Sequence, residues 1–168
     1  MELKSRNKTL KLDRPRIMGV LNVTPDSFSD GGDLGTVERA VRRAKEMVEV
    51  GVDILDIGGE STGPGSVDVS LQEELKRVVK VVAAVRAELP EVWISVDTWK
   101  ADVAQQAIAA GADMINDVTA LRGDSEMVRV AEELKVPICL MYSKDFSART
   151  TTDAVEYEDV MATIVEFL

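Results

Sequence analysis

The sequence predicts a parallel (β/α) barrel of the TIM type, present in part, and three observations lead there. Short apolar stretches alternate five times with stretches of helical periodicity. The apolar stretches are hydrophobic on both faces, as strands of a parallel sheet covered by helices must be. Polar residues stand at the carboxyl end of every one: Asn22, Asp56, Asp97, Asn116 with Asp117, and Tyr142. An open doubly wound sheet would usually place a glycine-rich phosphate turn after its first strand, whereas polar residues after every strand suit a ring whose carboxyl rim forms the site. A complete barrel has eight units, and these 168 residues supply five. The expectation is one domain over residues 1–168, with 1–16 a short hairpin or arm and 17–168 units one to five. It is either the amino-terminal portion of a longer protein or a chain whose open edges, at the first and fifth strands, another chain closes.

The elements follow in order. Leu10 and Leu12 alternate with Lys11 and Asp13 in the basic arm. A strand over 17–23 runs into a loop at 24–32, where Thr24-Pro25-Asp26-Ser27 excludes both strand and helix. Val37, Ala40, Val41, Ala44, Met47 and Val48 mark the apolar face of a helix that Gly51 ends. A second strand over 52–57 empties into the glycine-rich loop 58–65. Ser70 and Glu73 form a capping box, and Leu71, Leu75, Val78, Val82, Val85 and Leu89 continue a long helix to Pro90. The third strand covers 92–96 and the alanine-rich helix 101–110 closes at Gly111; Met114 and Ile115 lead into Asn116-Asp117. Ser125 is the expected cap of a helix through Leu134, residues 136–141 read as a fifth strand, and 157–168 begin a fifth helix.

Composition narrows the chemistry. With 45% hydrophobic residues the chain can bury a core. No apolar run is long enough to span a membrane and residues 1–10 do not read as a secretory leader. One cysteine, Cys139, excludes an internal disulfide and fits the cytoplasm, the expected location. Histidine is absent, which removes imidazole acid/base work and the commonest zinc sites and leaves carboxylates, amides, hydroxyls, Lys, Arg or a hard cation. A net charge of −10 argues against nucleic acid and anionic membranes as partners; an anionic substrate would need Mg2+ or helix N-termini.

The loop in 18–32 gathers Asn22, Thr24, Asp26, Ser27, Ser29 and Asp30 beside Val23, Pro25 and Phe28, more than a connector needs, and reads as a binding loop. Asp97, where the sheet gives way to Thr98-Trp99-Lys100, is placed to accept hydrogen bonds from a heterocycle or to face a developing cation. The competing role, capping the helix from Lys100, is one that Thr98 can fill. Asn116 offers one acceptor and two donors, a match for the N-C-N edge of a fused nitrogen ring. Glu60-Ser61-Thr62 with its glycines offers hydroxyls and amides to an anion. Met141 either stacks on a ring or fills the barrel interior. Asp56 and Asp117 read as structural, Trp99 as a rim aromatic and Cys139 as a small buried strand residue.

Taken together, four segments resemble the dihydropteroate synthase family: residues 18–32, Asp56-Ile57-Gly58-Gly59-Glu60-Ser61-Thr62 with Pro64-Gly65, Ile94-Ser95-Val96-Asp97-Thr98, and Ile115-Asn116-Asp117-Val118. The resemblance implies condensation of 4-aminobenzoate with 6-hydroxymethyl-7,8-dihydropterin diphosphate, with Mg2+ as cofactor. It implies that Asn22 contacts Mg2+ and the diphosphate, that Thr62 meets substrate, that Asp97 and Asn116 hold the pterin with Asp97 stabilising a cation at the pterin methylene, and that Val118 and Met141 flank the ring. The implied partners are these small molecules together with a second copy in a dimer, or a chain supplying the missing strands. Gly63 stands where the family carries Arg, and Tyr142 where it carries His. The family's remaining Asp, Lys, Arg and His belong to later strands. A pterin-binding module without synthase activity and a pterin-dependent methyltransferase are the other readings; the Thr24-Pro25-Asp26-Ser27-Phe28-Ser29-Asp30 loop favours the synthase.

Overall fold

A computed structural model describes residues 1–6, 8–24, 32–63, 66–143 and 156–168. Two short strands, β1 (Glu2–Ser5) and β2 (Lys8–Lys11), pair antiparallel as a hairpin. The remaining elements alternate: β3 (Met18–Asn22), α1 (Gly32–Glu49), β4 (Ile54–Gly58), α2 (Leu71–Glu88), β5 (Trp93–Asp97), α3 (Ala101–Ala110), β6 (Met114–Asp117), α4 (Met127–Leu134), β7 (Ile138–Leu140) and α5 (Val160–Phe167). The sheet runs β3-β4-β5-β6-β7, every neighbouring pair parallel, which is the expected arc of a (β/α) barrel. Among the described residues β3 and β7 each have one strand neighbour.

The two faces of the sheet bury different things. Toward the helices, Leu21, Leu55, Ile57, Ile94, Val96 and Ile115 pack with Ala40, Ala44, Val78, Val82, Val85, Ala104, Ala107 and Val130 in the main core. The alanines let α1 and α3 lie close to the strands. On the concave face a second cluster forms near the amino ends of the strands, from Ile54, Trp93 and Met114 with Leu10 of the hairpin, flanked by Leu3, Leu12 and Met18. The hairpin thus covers the floor of the arc, and polar anchors fix it there. Asp113 accepts from Arg86 at 2.6 Å, from Lys8 at 3.3 Å and from the Ile94 amide at 2.9 Å. Arg6 donates to the carbonyls of Ile108 and Ala112.

Several boundaries differ from the sequence expectation for identifiable reasons. Ser125 does not cap α4. Asp124 lies between two helices instead, its carboxylate accepting the Glu126 amide at 3.0 Å and the Ala101 amide of α3 at 2.9 Å. β7 is shorter than the 136–141 stretch because Pro137 has no N–H for a ladder. α5 starts at Val160, where Asp159 accepts the amides of Met161 at 2.9 Å and Ala162 at 3.0 Å. Ser70 caps α2 as expected, accepting the Glu73 amide at 3.3 Å. No described helix is long and apolar enough to cross a membrane.

Candidate active site

Strand register assembles the site. Asn22 pairs with Gly58, Gly58 with Asp97, Asp97 with Asn116, and Asn116 with Cys139, forming one row across five strands near their carboxyl ends. Residues in register share a face, and the apolar floor cluster shows which face this is. The row below it reads Val20, Asp56, Ser95 and Met114, and the one below that Met18, Ile54 and Trp93. The concave face therefore passes from apolar at the amino ends to polar at the carboxyl rim. Adjacent strands lie about 4.8 Å apart, so Asp97 and Asn116 are one strand spacing apart, with Asn22 two spacings from Asp97.

Gly58 makes room for the central carboxylate. A Cβ built there would stand 3.2 Å from Asp97 Oδ2 and 3.3 Å from its Cβ, tighter than ordinary packing. Burial pushes the Asp97 carboxyl up to about 7, helped by the negative charges of Asp56, Glu74, Asp117 and Glu60. No ion pair neutralises it among the described residues. Asp97 does not cap α3: the Lys100 amide goes to Thr98 Oγ1 at 3.2 Å.

Asn116 donates through Nδ2 to Asp56 Oδ2 at 3.0 Å. Asp56 is 3% exposed. Burial raises the Asp56 carboxyl, and hydrogen bonding with the Ser95 hydroxyl and the Asn116 amide opposes the rise. Asp56 therefore supports the rim rather than lying on it, in keeping with the structural part expected from the sequence. It occupies the same strand face as Gly58, two residues further down, and supports Asn116 from below. Asp117 too has the structural role expected of it: it faces the helices and fixes the following turn, accepting from Thr119 N and Oγ1 at 2.8 Å and from Leu121 N at 2.8 Å.

The other expected site residues lie around the same rim. Thr62 is half-buried on the loop after β4, in a turn where the Gly63 carbonyl accepts from Ser66 N at 3.2 Å and Ser66 Oγ at 2.7 Å. Val118 follows β6 and is 7% exposed, yet it belongs to neither apolar core. Met141, half-buried, follows β7 and donates its amide to Asp117 O at 3.2 Å. Asn22 is exposed at the end of β3. The binding loop expected in 18–32 lies outside the described residues from 25 to 31, as do Pro64-Gly65 and residues 144–155. Cys139 is exposed, not buried as expected; it faces the concave side of β7, which has one strand neighbour among the described residues. Trp99 is half-buried against Gly123, where a Cβ would come within 2.9 Å of the indole.

A partial (β/α) barrel with amides and carboxylates gathered on its carboxyl rim is the class this geometry defines. Residues 18–168 match the model of the pterin binding enzyme family, and the chain belongs to that family. It is 44% identical over 164 residues to the dihydropteroate synthase of Escherichia coli K12, an alignment covering 98% of this chain and 57% of that protein. It superposes on the Xanthomonas albilineans dihydropteroate synthase with 4-aminobenzoic acid at a TM-score of 0.85 and 46% identity, covering 99% of this chain and 57% of the other. The same enzyme in complex with 7,8-dihydropteroate aligns with a TM-score of 0.81 and 43% identity, again over 99% and 57%. The chain thus spans little more than half the length of these relatives.

Proposed function

We propose that this chain forms the first five β/α units of a dihydropteroate synthase, which joins 4-aminobenzoate to 6-hydroxymethyl-7,8-dihydropterin diphosphate and releases pyrophosphate. The observation that carries this reading is the row Asn22, Asp97, Asn116 on one concave face, with Asp56 beneath. Because Asp56 takes a hydrogen from the Asn116 amide, the amide oxygen is turned away from it to accept from the N–H edge of the ring. Asp97, ionised, accepts from the other N–H groups of the pterin, and Val118 and Met141 line its faces. Departure of the diphosphate leaves positive charge at the pterin methylene; the Asp97 carboxylate stabilises it until the aromatic amine attacks. That role needs the proton off Asp97, so pterin capture rises with pH through about 7.

Mg2+ fits the donors on the rim only in company with substrate. Among the described residues no group of three acidic, His or Cys side chains could hold a metal, whereas the Asn22 amide oxygen is the hard, neutral donor such an ion accepts beside phosphate oxygens. When bound there it would neutralise charge on the departing diphosphate. Thr62 meets the same anion from the second loop. The single cysteine suits the reducing cytoplasm. The partner expected for the edges of β3 and β7 is further barrel strands, from the same protein or another chain; a homodimer is the other assembly this reading includes.

Calorimetry with 6-hydroxymethylpterin diphosphate and Mg2+ tests the reading. Saturable binding that Asp97→Asn weakens supports it; absence of binding refutes it. The 168 residues alone should form little dihydropteroate, because Gly63 replaces a cation and the remaining cations of the family lie on later strands. Rapid product formation by the purified chain would contradict that division of labour.

A further inference from the structure

Behind Asp97 lies a buried charge cluster that the reaction above does not use. The Lys100 ammonium donates to Glu60, to Glu74 Oε2 at 2.5 Å and to the Val69 carbonyl at 2.9 Å. Thr98 Oγ1 donates to Glu74 Oε1 at 2.7 Å. The side chains are 12% exposed for Lys100, 4% for Glu60 and 1% for Glu74. Lys100 also stands 4.9 Å from the centre of the Trp99 ring. Glu60 opens the loop that carries Thr62, and Val69 closes it just before the Ser70 cap of α2. One ammonium therefore grips both stems of that loop and ties them to the strand end that carries Asp97. Arg77 of α2 adds a bond to the Gly59 carbonyl at 2.9 Å.

We propose that Lys100 is a positioning residue for the site: it sets the Thr62 loop against Asp97 and neutralises the carboxylates behind Asp97. The inference rests on the rim being the pterin site, but half of it can be tested without a ligand. The charges near Asp97 are Asp56 from β4, Glu60 from the following loop, Glu74 from α2 and, across the sheet, Asp117 from β6, and each pushes its carboxyl upward. Lys100 carries the balancing charge beside two of the four. Its own ammonium, disfavoured by burial, is held charged by Glu60 and Glu74. Buried charges left unpaired are costly and act at short range with little screening.

The test is a carboxyl 13C NMR titration of Asp97, its signal assigned by loss in Asp97→Asn, in the wild-type chain and in Lys100→Gln, Lys100→Arg and Glu74→Gln. Lys100→Gln should raise the Asp97 midpoint by about one pH unit, Lys100→Arg should restore it, and Glu74→Gln should lower it. The opposite sign of Glu74→Gln keeps the inference falsifiable if Lys100→Gln does not fold. Calorimetry supplies the second readout. Lys100→Gln should weaken the pterin diphosphate about tenfold more than the same pterin lacking the diphosphate, because the loop that meets the anion is released. An unchanged Asp97 midpoint in both Lys100→Gln and Glu74→Gln overturns the inference. Variants that show these titration shifts beside a wild-type chain that binds no pterin refute the pterin reading and leave the charge coupling standing.

Discussion

The two ends of the sheet treat charged groups in opposite ways. At the floor, every hydrogen-bonding arm of Arg86 has a partner: Gly111 O at 3.0 Å, the carbonyls of Leu89, Pro90 and Val92, and Asp113 at 2.6 Å. Lys8 adds the Val92 carbonyl at 2.8 Å, and Leu10, Trp93 and Met114 form an apolar cluster at the same end. At the rim, Asp97 is half-buried among like charges, and no ion pair reaches it among the described residues. A paired charge network stabilises; a carboxylate held among like charges stores free energy that a ligand can release. The floor is thus built for the fold, and the rim is kept ready for something that brings N–H donors.

That contrast is open to direct attack. At the floor, Asp113→Asn leaves Arg86 and Lys8 without a counter-charge and should cost about 3 kcal/mol in chemical denaturation, with pterin affinity unchanged. Loss of affinity there would erase the division between the two ends.

At the rim the signs should reverse. Because the folded-state Asp97 carboxyl is raised from 3.8 to about 7, its contribution to stability is complete below 3.8 and is lost as pH rises toward 7. Asp97→Asn should therefore gain stability over the wild type across that window, by up to roughly 4 kcal/mol at pH 8, as read from denaturation midpoints at pH 4 and pH 8. The same substitution should weaken pterin binding about 100-fold, the worth of charge-assisted hydrogen bonds.

A smaller effect sharpens the comparison further. Pterin N–H groups hold Asp97 ionised, so binding near pH 7 should release about half a proton, measurable as a calorimetric enthalpy that varies with the ionisation heat of the buffer. A buffer-independent enthalpy would place the titrating carboxyl elsewhere. The smallest change is expected from Gly63→Arg. Among the described residues only Ser61 Oγ comes near a built Cβ there, at 3.5 Å, so a side chain finds room, and a guanidinium should improve diphosphate binding a few-fold.

Much of this was legible in the residues. Alternating apolar strands and helices with caps such as Ser70 and stops such as Gly111 fixed the element order, because each signal is local. Asp97 and Asn116 were legible because they end strands. The place of Asp56 beneath Asn116 was not, since its face depends on the register of β4 against β3 and β5, which no local pattern states. Lys100 left no trace at all: its partners Glu60 and Glu74 lie 40 and 26 residues away, and only packing brings them together. Cys139 reads as buried from its apolar neighbours, and it is exposed because β7 has one strand neighbour among the described residues.

The measurement that bears most directly on the rim as a pterin site is calorimetric titration of 6-hydroxymethylpterin diphosphate with Mg2+ at pH 8 into three proteins: wild type, Asp97→Asn and Asp113→Asn. The expected outcome is saturable binding to the wild type, equal binding to the folded Asp113→Asn protein, and a loss of about two orders of magnitude in Asp97→Asn. Equal affinity in the wild type and Asp97→Asn would contradict the account.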